Sequence, residues 1–578
     1  MPHGYYSISQ IFQSQQFDCI ERRFGMNQSP ATGSGGIHGW RLVAICLLTM
    51  FAFGPQYVLN VSFILNQGLI QNTFASGANA LTVPSTLSNL AFAACVPVGP
   101  VLTRRFGLRH TYISLVLMFL LGSIIAAISP TMWALVIGRL LQGLSAGALF
   151  LTILPVSLMS FPNAIRNWFL LLAIGGLFGA SAFGTLFGAL TISTDAWRWL
   201  FVLCGIAPIF CLIVGLIALP REHVHEHHQP FDIWGAVVLA ATVTVTLFPL
   251  IHLKNMGIGS LWVWPFFVLA AALFATFVFI ELHSKAPLVH YRSVRMPKQI
   301  FGFLMAVISH VGLILALIGG IEFLRAIKGA SFTDIVHFAV WFVCGVVIVA
   351  LISVFLYDLV GAGALGIAGS FVVMLVAWKW HNASGHVSYP MLAFEFAAAA
   401  TCIGLVLIAG ALGTALAGDI HEARWRSGFL HFHRNLLGAL IAPFSAWFLT
   451  KDSAIQYEQL RSHISLADPL VSAQLASITQ RLMANGTPQA QAQQLAVTTV
   501  LTNAQQASLL SALHGLFTIM FIVGCMMLVS SIGMAATGKG RALVQRQKPL
   551  TAPQHIGESL PAPTRHHAAI SNEGSTHA

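Results

Sequence analysis

A positively charged residue interrupts an otherwise apolar stretch of the chain, residues 134–149. It is Arg139, and Gln142, Gly143 and Gly147 follow it in the same stretch. A charge at membrane depth costs about 2.5 kcal/mol or more, so it is kept where it has a partner or takes part in solute movement. Arg139 either pairs with a carboxylate or a carbonyl and biases the protonation of that partner, or ties two helices together.

Three other ionisable side chains fall within or near predicted apolar helices and could carry a proton. Glu322 and Glu395 lie near the predicted outer ends of the ninth and twelfth helices, and His310 lies near the middle of the ninth. An imidazole with an ordinary pKa of about 6.5 is a usable proton carrier. The structural alternatives are a salt bridge from Glu322 to Arg325 or Lys328, and a hydrogen-bonded core position for His310.

The predicted thirteenth helix opens with a basic face that contains Arg424, Arg426, His431, His433 and Arg434. Buried cations need partners, so this face could attract anionic or aromatic-acid solutes. The alternative is that it anchors the helix at the cytoplasmic membrane surface. We favour anchoring for Arg424 and Arg426 and leave both roles open for His433 and Arg434.

Four imidazoles lie close together in residues 223–228, a pattern that could bind zinc or nickel. No second shell of supporting ligands is visible around them, so a solvated loop is favoured and no metal or other cofactor is predicted. The chain also lacks a phosphate-binding loop of the Walker type, a Ser-His-Asp order and a metalloprotease motif. The sequence therefore predicts neither an enzyme nor an ATP-driven pump.

The composition shows which elements must position these side chains. Of the 578 residues, 56% are hydrophobic and 8% are charged, and the mean hydropathy is +0.78. This exceeds what a soluble core could bury, so we predict an all-α, polytopic membrane protein with about fourteen spans of about 20 residues. The predicted spans start near Arg41, Thr82, Thr111, Met132, Trp168, Trp197, Ile233, Leu261, Phe301, Asp334, Gly361, Pro390, Gly428 and Ser508.

The distribution of basic residues predicts the orientation in the membrane. With the N-terminus in the cytoplasm, about 19 of the 29 Lys and Arg residues fall in inside loops, which follows the positive-inside rule. Both termini are then cytoplasmic. The net charge of +11 is explained by these loops and by anionic lipid, and does not call for nucleic acid.

The predicted organisation has five parts. Residues 1–40 and 539–578 are polar, disordered cytoplasmic tails, and eight cysteines form neither a metal motif nor a disulfide framework. Residues 41–220 form a first six-helix half, and residues 221–298 hold two extra helices. Residues 299–538 form a second six-helix half that includes a polar outer segment, residues 451–506.

These motifs, in this order, resemble the major facilitator superfamily, and within it the fourteen-span drug:proton antiporters similar to EmrB and QacA. The Arg139 motif matches the fourth-helix motif of that family, and a long outer loop precedes the last helix. The fifth helix is rich in glycine, and Trp197-Arg198-Trp199 matches the entrance to the sixth. The resemblance implies a major facilitator fold of two related six-helix halves with two central helices between them.

Two loops resemble the charged cytoplasmic loop of this family. In the first, Arg105 and Gly107 are retained, whereas Arg104 stands where the family has Asp. Pro100 also replaces the first Gly of the loop motif. The second, degenerate copy carries Asp358 at the acidic position, as an internal repeat would require, although Asp358 could also be an ordinary solvated acid.

The first helix departs from the family at the position of its membrane-embedded Asp, which is Pro55 here. That acid is central to proton coupling in EmrB-like antiporters, so the resemblance supports proton coupling only through another group. Gln56 and Asn60 follow on the same helix. They line the cavity or hold neighbouring helices together.

Two glycines on the fifth helix, Gly184 and Gly188, are spaced so that two helix backbones can approach closely. The resemblance implies a gating role for them as a pivot between helices. Tight packing without gating is the alternative.

The resemblance implies a secondary active efflux transporter of the inner membrane that exports amphipathic or aromatic small molecules by proton-coupled alternating access. A periplasmic membrane-fusion adaptor and an outer-membrane channel are implied partners, with residues 451–506 as the contact. One alternative is a dedicated exporter or uncoupled facilitator of one metabolite, such as a siderophore or an aromatic acid. Another is a non-transporting membrane scaffold or sensor.

Overall fold

The computed structural model contains helices joined by short connections. It describes residues 35–74, 82–160, 179–181, 183–192, 194, 196–219, 231–419, 422–463 and 469–540. Long apolar helices are the expected elements, because a backbone in hydrocarbon must satisfy its own hydrogen bonds. The histidine-rich residues 223–228, most of both tails and the predicted span start near Trp168 lie outside the described residues.

The first half of the chain supplies eight helices in the described ranges. They are α1 (Gly35–Leu65), α2 (Gln67–Phe74), α3 (Thr82–Cys95), α4 (Val98–Phe106), α5 (Leu108–Ala127), α6 (Met132–Ser160), α7 (Gly179–Ile192) and α8 (Trp199–Ala218). Two helices follow in the middle of the chain, α9 (Ile233–Met256) and α10 (Trp264–His283).

The second half of the chain begins after a short 3-10 turn, Tyr291–Ser293. Its helices are α11 (Pro297–Glu322), α12 (Phe332–Val360), α13 (Ala362–His381), α14 (Tyr389–Leu416), α15 (Ala423–His463), α16 (Pro469–Ala484) and α17 (Gln489–Ala536). A π-helical turn, Phe323–Ile327, extends α11. Helices α15 and α17, with 41 and 48 residues, include most of the predicted outer segment, residues 451–506.

The apolar helices confirm a polytopic membrane protein. Among the described residues, 11 helices are long and apolar enough to cross a bilayer, or up to 12 if the bent pair α3 and α4 forms one span. Helix α15 contains the predicted span start near Gly428 but, with its charged residues, is not among those 11. The exact number of about fourteen spans therefore stays a prediction.

The break between α3 and α4 has a cause in the sequence. The two helices meet at an angle of 54°, and Pro97 precedes the first residue of α4. Proline has no N–H to donate and its ring clashes with the preceding turn, so a helix commonly bends there. The predicted span at Thr82 is thus a broken helix.

The two halves of the chain each pack their own apolar core. In the first half the core includes Leu48, Phe119 and Phe150, and in the second half it includes Phe342, Ile403 and Phe517. The middle helices pack elsewhere: Val243 of α9 clusters with Leu90 of α3 and Ala439 of α15, and Phe277 of α10 lies 5.9 Å from Phe432 of α15. Helix α9 therefore contacts elements of both halves.

Helix α6 packs unusually closely against α3. A Cβ atom added at Gly143 would overlap the carbonyl of Ser88, and one added at Gly147 would overlap the carbonyl of Phe92. Small residues at such positions let two membrane helices approach at backbone distance. The glycines that follow Arg139 therefore set how close its helix lies to α3.

We expect Gly143→Ala to destabilise the protein, because the added methyl group must push α6 away from the Ser88 carbonyl. Overpacking of this kind costs about 1–3 kcal/mol. The midpoint of thermal unfolding in detergent measures the effect. Gly68→Ala is the matched control, since nothing lies within 4 Å of a Cβ at Gly68 of α2. Equal midpoints for the two variants would contradict the close packing.

Candidate functional site

A cavity of about 160 Å³ lies between the two halves of the bundle. Helices α1, α3, α7, α11, α14 and α15 line it. Its polar wall residues are Gln56, Tyr57, Asn60, Asn89, Ser181, His310, Arg434 and Asn435. Aliphatic side chains of α11 and the ring of Phe92 make up much of the remaining wall. Sequence analysis predicted Gln56, Asn60, His310 and Arg434 as candidate residues, and the structure brings them to one place.

Arg139 is fully buried next to this cavity. Its Nη1 donates to Gln142 Oε1 at 3.1 Å and its Nη2 donates to Asn60 Oδ1 at 3.0 Å. The guanidinium also lies 5.5 Å from the centre of the Phe63 ring, a cation–π distance. Amide oxygens and an aromatic face stabilise this charge.

The hydrogen bonds of Arg139 extend to other helices. Asn60 Oδ1 also accepts from Gln56 Nε2 at 3.2 Å, and Gln56 Nε2 donates to Ser88 Oγ of α3 at 2.9 Å. Gln142 Nε2 donates to Ser123 Oγ of α5 at 2.9 Å. One buried cation thus organises polar contacts among α1, α3, α5 and α6, and two of these residues, Gln56 and Asn60, reach the cavity wall.

No carboxylate from the first five predicted helices can neutralise Arg139. The sequence has no Asp or Glu between Glu21 and Asp195. The buried position that the family resemblance would give to an acid is Pro55, whose carbonyl lies 3.7 Å from Cys204 Sγ. A buried charge without a counter-charge is expensive, so its hydrogen bonds to Asn60 and Gln142 are essential.

Arg434 of α15 joins the two halves across the cavity. Its Nη2 donates to the hydroxyl of Tyr57 on α1 at 3.3 Å. The side chain is 3% exposed, and its Nε has no hydrogen-bond partner among the described residues. His310 lies nearby, because a Cβ added at Gly438 of α15 would come within 2.7 Å of His310 Nε2. A buried guanidinium with an N–H group that has no partner can donate a hydrogen bond to an anion.

The halves touch at the end of the bundle where α15 begins. The rings of Phe150 (α6) and His431 (α15) lie 4.6 Å apart, and a Cβ added at Gly428 would lie 3.2 Å from Leu151. This is the predicted cytoplasmic end. The contacts close the cavity on that side.

The loop between α4 and α5 takes part in this closure. Arg104, which stands at the family's acidic position, lies 5.0 Å from the ring centre of Trp425 at the start of α15. His290 stacks on the same ring with the centroids 3.7 Å apart. A cation–π and stacking cluster therefore connects the first half, the segment after α10 and the second half where the family would place an acid.

The two predicted loop copies share a backbone feature. Gly107 ends α4 with φ 80° and ψ 157°, and Gly361 ends α12 with φ 84° and ψ 164°. Residues other than glycine rarely adopt this backbone conformation, which explains a glycine at both positions. Arg105 lies 5.6 Å from the ring of Phe106, and Asp358 is exposed. The matching glycines are what the internal repeat requires.

The two predicted carboxylate carriers lie away from the cavity wall. Glu395 accepts from Lys379 Nζ at 2.8 Å and from Trp380 Nε1 at 3.0 Å, so it ties α14 to α13. Glu322 is half-buried at the end of α11. The structure also shows a buried acid that sequence analysis did not single out: Glu281 of α10 accepts from the Val289 backbone N–H at 2.9 Å. Any coupling role for Glu322 and Glu395 stays a prediction.

The predicted gating glycines lie at the contact between α7 and α1. A Cβ added at Gly184 would come 2.5 Å from the Val58 carbonyl oxygen, and one added at Gly188 would come 2.8 Å from Ser62 Cα. Asn66 Nδ2 donates to the Gly188 carbonyl at 2.9 Å. The helices are in close contact there, as the spacing predicted, and the gating role remains a prediction.

Comparison with known proteins identifies the family. The Major Facilitator Superfamily profile matches residues 45–418. The chain is 28% identical over 521 residues to an "Uncharacterized MFS-type transporter YubD" of Bacillus subtilis (strain 168), covering 89% of this chain and 93% of that protein. It is 26% identical over 295 residues to the "Tetracenomycin C resistance and export protein" of Streptomyces glaucescens, covering 50% and 53%. Multidrug resistance protein 3 of Bacillus subtilis (strain 168) is 26% identical over 209 residues, covering 35% and 40%.

The solved structures support the same fold. A bacterial homolog to the human lysosomal transporter Spinster, in an inward-facing and unoccupied conformation, superposes with a TM-score of 0.53. Its sequence identity to this chain is 14%, and the superposition covers 88% of this chain and 100% of that one. At this identity the likeness concerns the fold alone.

We expect Arg139→Met and Asn60→Ala to be energetically coupled, because each removes one side of the same buried hydrogen bond. Unfolding by SDS in mixed micelles gives the free energies of the single variants and the double variant. A coupling of about 0.5–3 kcal/mol is expected for residues in contact. Thr401→Ala is the control partner, since its hydroxyl bonds Gly345 and Ala397 in the other half. Additive effects for Arg139 and Asn60 would contradict the network.

We expect the stability to fall as the pH is lowered from about 7, through protonation of His290. Burial, then Arg104 and Arg424, lower the pKa of His290 from 6.5 to about 3. The unfolded chain therefore binds a proton that the folded protein excludes between these values, and this favours unfolding by less than about 1.4 kcal/mol per pH unit. Thermal unfolding at pH 7.5 and pH 5 should show a smaller pH effect in His290→Gln. An unchanged pH effect in that variant would assign the titration to other groups.

Proposed function

Because the chain belongs to the major facilitator superfamily, we propose that it exports amphipathic or aromatic small molecules across the membrane by alternating access. The observation that carries this proposal is the cavity between the two halves, closed at one end by contacts such as Phe150 with His431. A cavity that both halves line can open to either side when the halves rock.

The family and the fold are those of a multi-pass membrane transporter. Relatives named as multidrug resistance and export proteins support outward transport. The cavity wall supports the class of solute: Tyr57 and Phe92 offer aromatic faces, and Leu313, Ile314 and Leu317 offer an aliphatic surface. Apolar walls with a few polar groups are typical of sites for drug-sized molecules.

The source of energy has two candidates. The family resemblance implies proton-coupled antiport, for which His310 is the imidazole on the described cavity wall. No carboxylate occurs among the described wall residues, and the first helix has Pro55 at the position of the coupling acid. This observation favours the second candidate, an exporter without proton coupling.

We extend the proposal to the setting of the protein. Both termini are proposed to be cytoplasmic and the membrane to be the bacterial inner membrane. The C-terminal end of α15, the whole of α16 and the N-terminal part of α17 would then lie in the periplasm. Leu470, which is 80% exposed, and Met483 give this segment apolar surface for a membrane-fusion adaptor that leads to an outer-membrane channel.

We expect Ile314→Trp to reduce export about tenfold, because the larger side chain fills the cavity. Export is measured as the loss of a fluorescent aromatic dye from loaded cells of an efflux-deficient strain that produces the protein. A 160 Å³ cavity is close to the roughly 150 Å³ that holds one benzene ring, so one indole blocks it.

Ile213→Trp is the matched control for this experiment. Ile213 lies on α8 and is 57% exposed, so the same substitution there adds bulk at the surface of the bundle. Equal export by both variants would show that the solute does not pass through this cavity. No difference between cells with and without the unmodified protein would refute export.

A further inference from the structure

We propose that the exported solute is an amphipathic organic anion whose carboxylate or sulfonate binds Arg434 and Tyr57, and that the membrane potential drives its export. This inference rests on the proposed export function and narrows it to one class of solute and one source of energy. Three features carry it: the charge of the cavity, the unused donors of Arg434 and the size of the apolar part.

The charge of the cavity is positive. Arg434 lies on its wall, and no carboxylate does among the described lining residues. The chain has no Asp or Glu between Glu21 and Asp195, and α15 has none between Ala423 and Lys451. Glu322 of α11 and Glu395 of α14 are not among the described lining residues. A cavity of one sign of charge concentrates solutes of the opposite sign.

The side chain of Arg434 is suited to bind two oxygen atoms of one anionic group. A guanidinium has five N–H donors in a rigid fork that matches two oxygen atoms of a carboxylate. In the described part of the chain Arg434 makes one hydrogen bond, at 3.3 Å to the neutral Tyr57 hydroxyl, and Nε has no partner. The side chain is 3% exposed, so little of it is open to the solvent. An anion would supply the missing partner.

The Arg139 network adds donors on the opposite wall. Asn60 Oδ1 already accepts from Arg139 at 3.0 Å and from Gln56 at 3.2 Å. With the oxygen occupied, the amide N–H groups of Asn60 are the groups left to bond a solute. Both cations therefore favour an anion, Arg434 directly and Arg139 through Asn60.

The apolar part of the cavity fits an aromatic body. The cavity volume of about 160 Å³ is close to the roughly 150 Å³ in which an engineered protein cavity binds benzene. Val61, Leu313, Leu317 and Leu407 line it together with Phe92. The site would take one or two rings with the charged group at Arg434.

An anion changes the energetics of export. The cell interior is electrically negative, so a monoanion moves outward in the direction that the membrane potential favours. For a single charge, a tenfold concentration ratio corresponds to about 59 mV. An anion exporter therefore needs no proton carrier, and Pro55 at the position of the coupling acid is compatible with export.

The test uses full-length protein in liposomes of neutral lipid and two permanently charged probes. Naphthalene-1-sulfonate is the anion, and (naphthylmethyl)trimethylammonium is the cation of similar ring structure. A tenfold potassium gradient with valinomycin sets the interior about 59 mV positive. We expect tenfold accumulation of the sulfonate, none of the ammonium compound, and no accumulation of either from a one-unit pH gradient at zero potential.

Variants connect the transport to the site. Arg434→Gln should lower the initial rate of sulfonate uptake at least tenfold, and Arg434→Lys less, because it keeps the charge but loses the fork. Tyr57→Phe removes only the hydroxyl and should lower the rate severalfold. Arg461→Gln on the same helix is the control, because Arg461 is exposed and pairs with Glu458. Thermal unfolding verifies that each variant is folded.

The outcomes separate the two proposals. Transport of the ammonium compound but not the sulfonate would overturn anion selectivity, and accumulation that follows the pH gradient at zero potential would overturn the energy source. An unchanged sulfonate rate in folded Arg434→Gln would overturn the binding site. None of these three outcomes contradicts the proposed export function. Absence of transport of both probes by folded protein would refute the export function itself.

Discussion

The burial of Arg139 without a carboxylate is the constraint on which the first half of the protein depends. Its guanidinium would be very unfavourable in hydrocarbon, so four helices arrange amides, hydroxyls and the Phe63 ring around it. The contact with Asn60 requires α6 to lie close to α1, and Gly143 and Gly147 let α6 approach α3 at backbone distance. The hydrogen bonds that stabilise the buried charge in this half therefore depend on the close packing of its helices.

The closed end of the cavity is held by rings where an ion pair would be expected from the family resemblance. Arg104 and His290 both contact Trp425, and Phe150 contacts His431. A cation–π contact has less directional demand than an ion pair, and leaving it for water costs about 0.5–2 kcal/mol. Such a closure can open and close repeatedly without separating two opposite buried charges.

The sequence alone predicted those features of the protein that short stretches of residues determine. Hydropathy over about 20 residues gave an all-helical membrane protein, and the Arg139 motif gave the family. A hydropathy average over about 20 residues could not show that the last span belongs to a 48-residue helix, because the first part of α17 is rich in Gln and Thr and only its later part is apolar. The same limit hid the broken helix at Pro97, because a hydropathy average over about 20 residues includes both pieces, α3 and α4, and does not register the 54° bend between them.

The site itself was only partly predictable from sequence. Arg434, His310, Gln56 and Asn60 stood out because polar residues are rare in apolar helices. Tyr57 did not, since its bond to Arg434 joins positions 377 residues apart. Glu395 also stood out as an intramembrane acid, yet its carboxylate accepts hydrogen bonds from Lys379 and Trp380. No pattern in the sequence predicted these two contacts.

The bond between Arg434 and Tyr57 bears on how such a carrier returns empty. A cavity with a fixed cation must close without its solute in every cycle, and closing it strips water from the guanidinium. The Tyr57 hydroxyl belongs to the other half and lies 3.3 Å from Arg434 Nη2, so it can serve as a partner of the guanidinium whenever no solute does. In the proposed cycle an anion gives Arg434 a stronger, charged partner than this hydroxyl. The neutral oxygen offsets part of the desolvation cost without holding the cation so tightly that an anion could not bind.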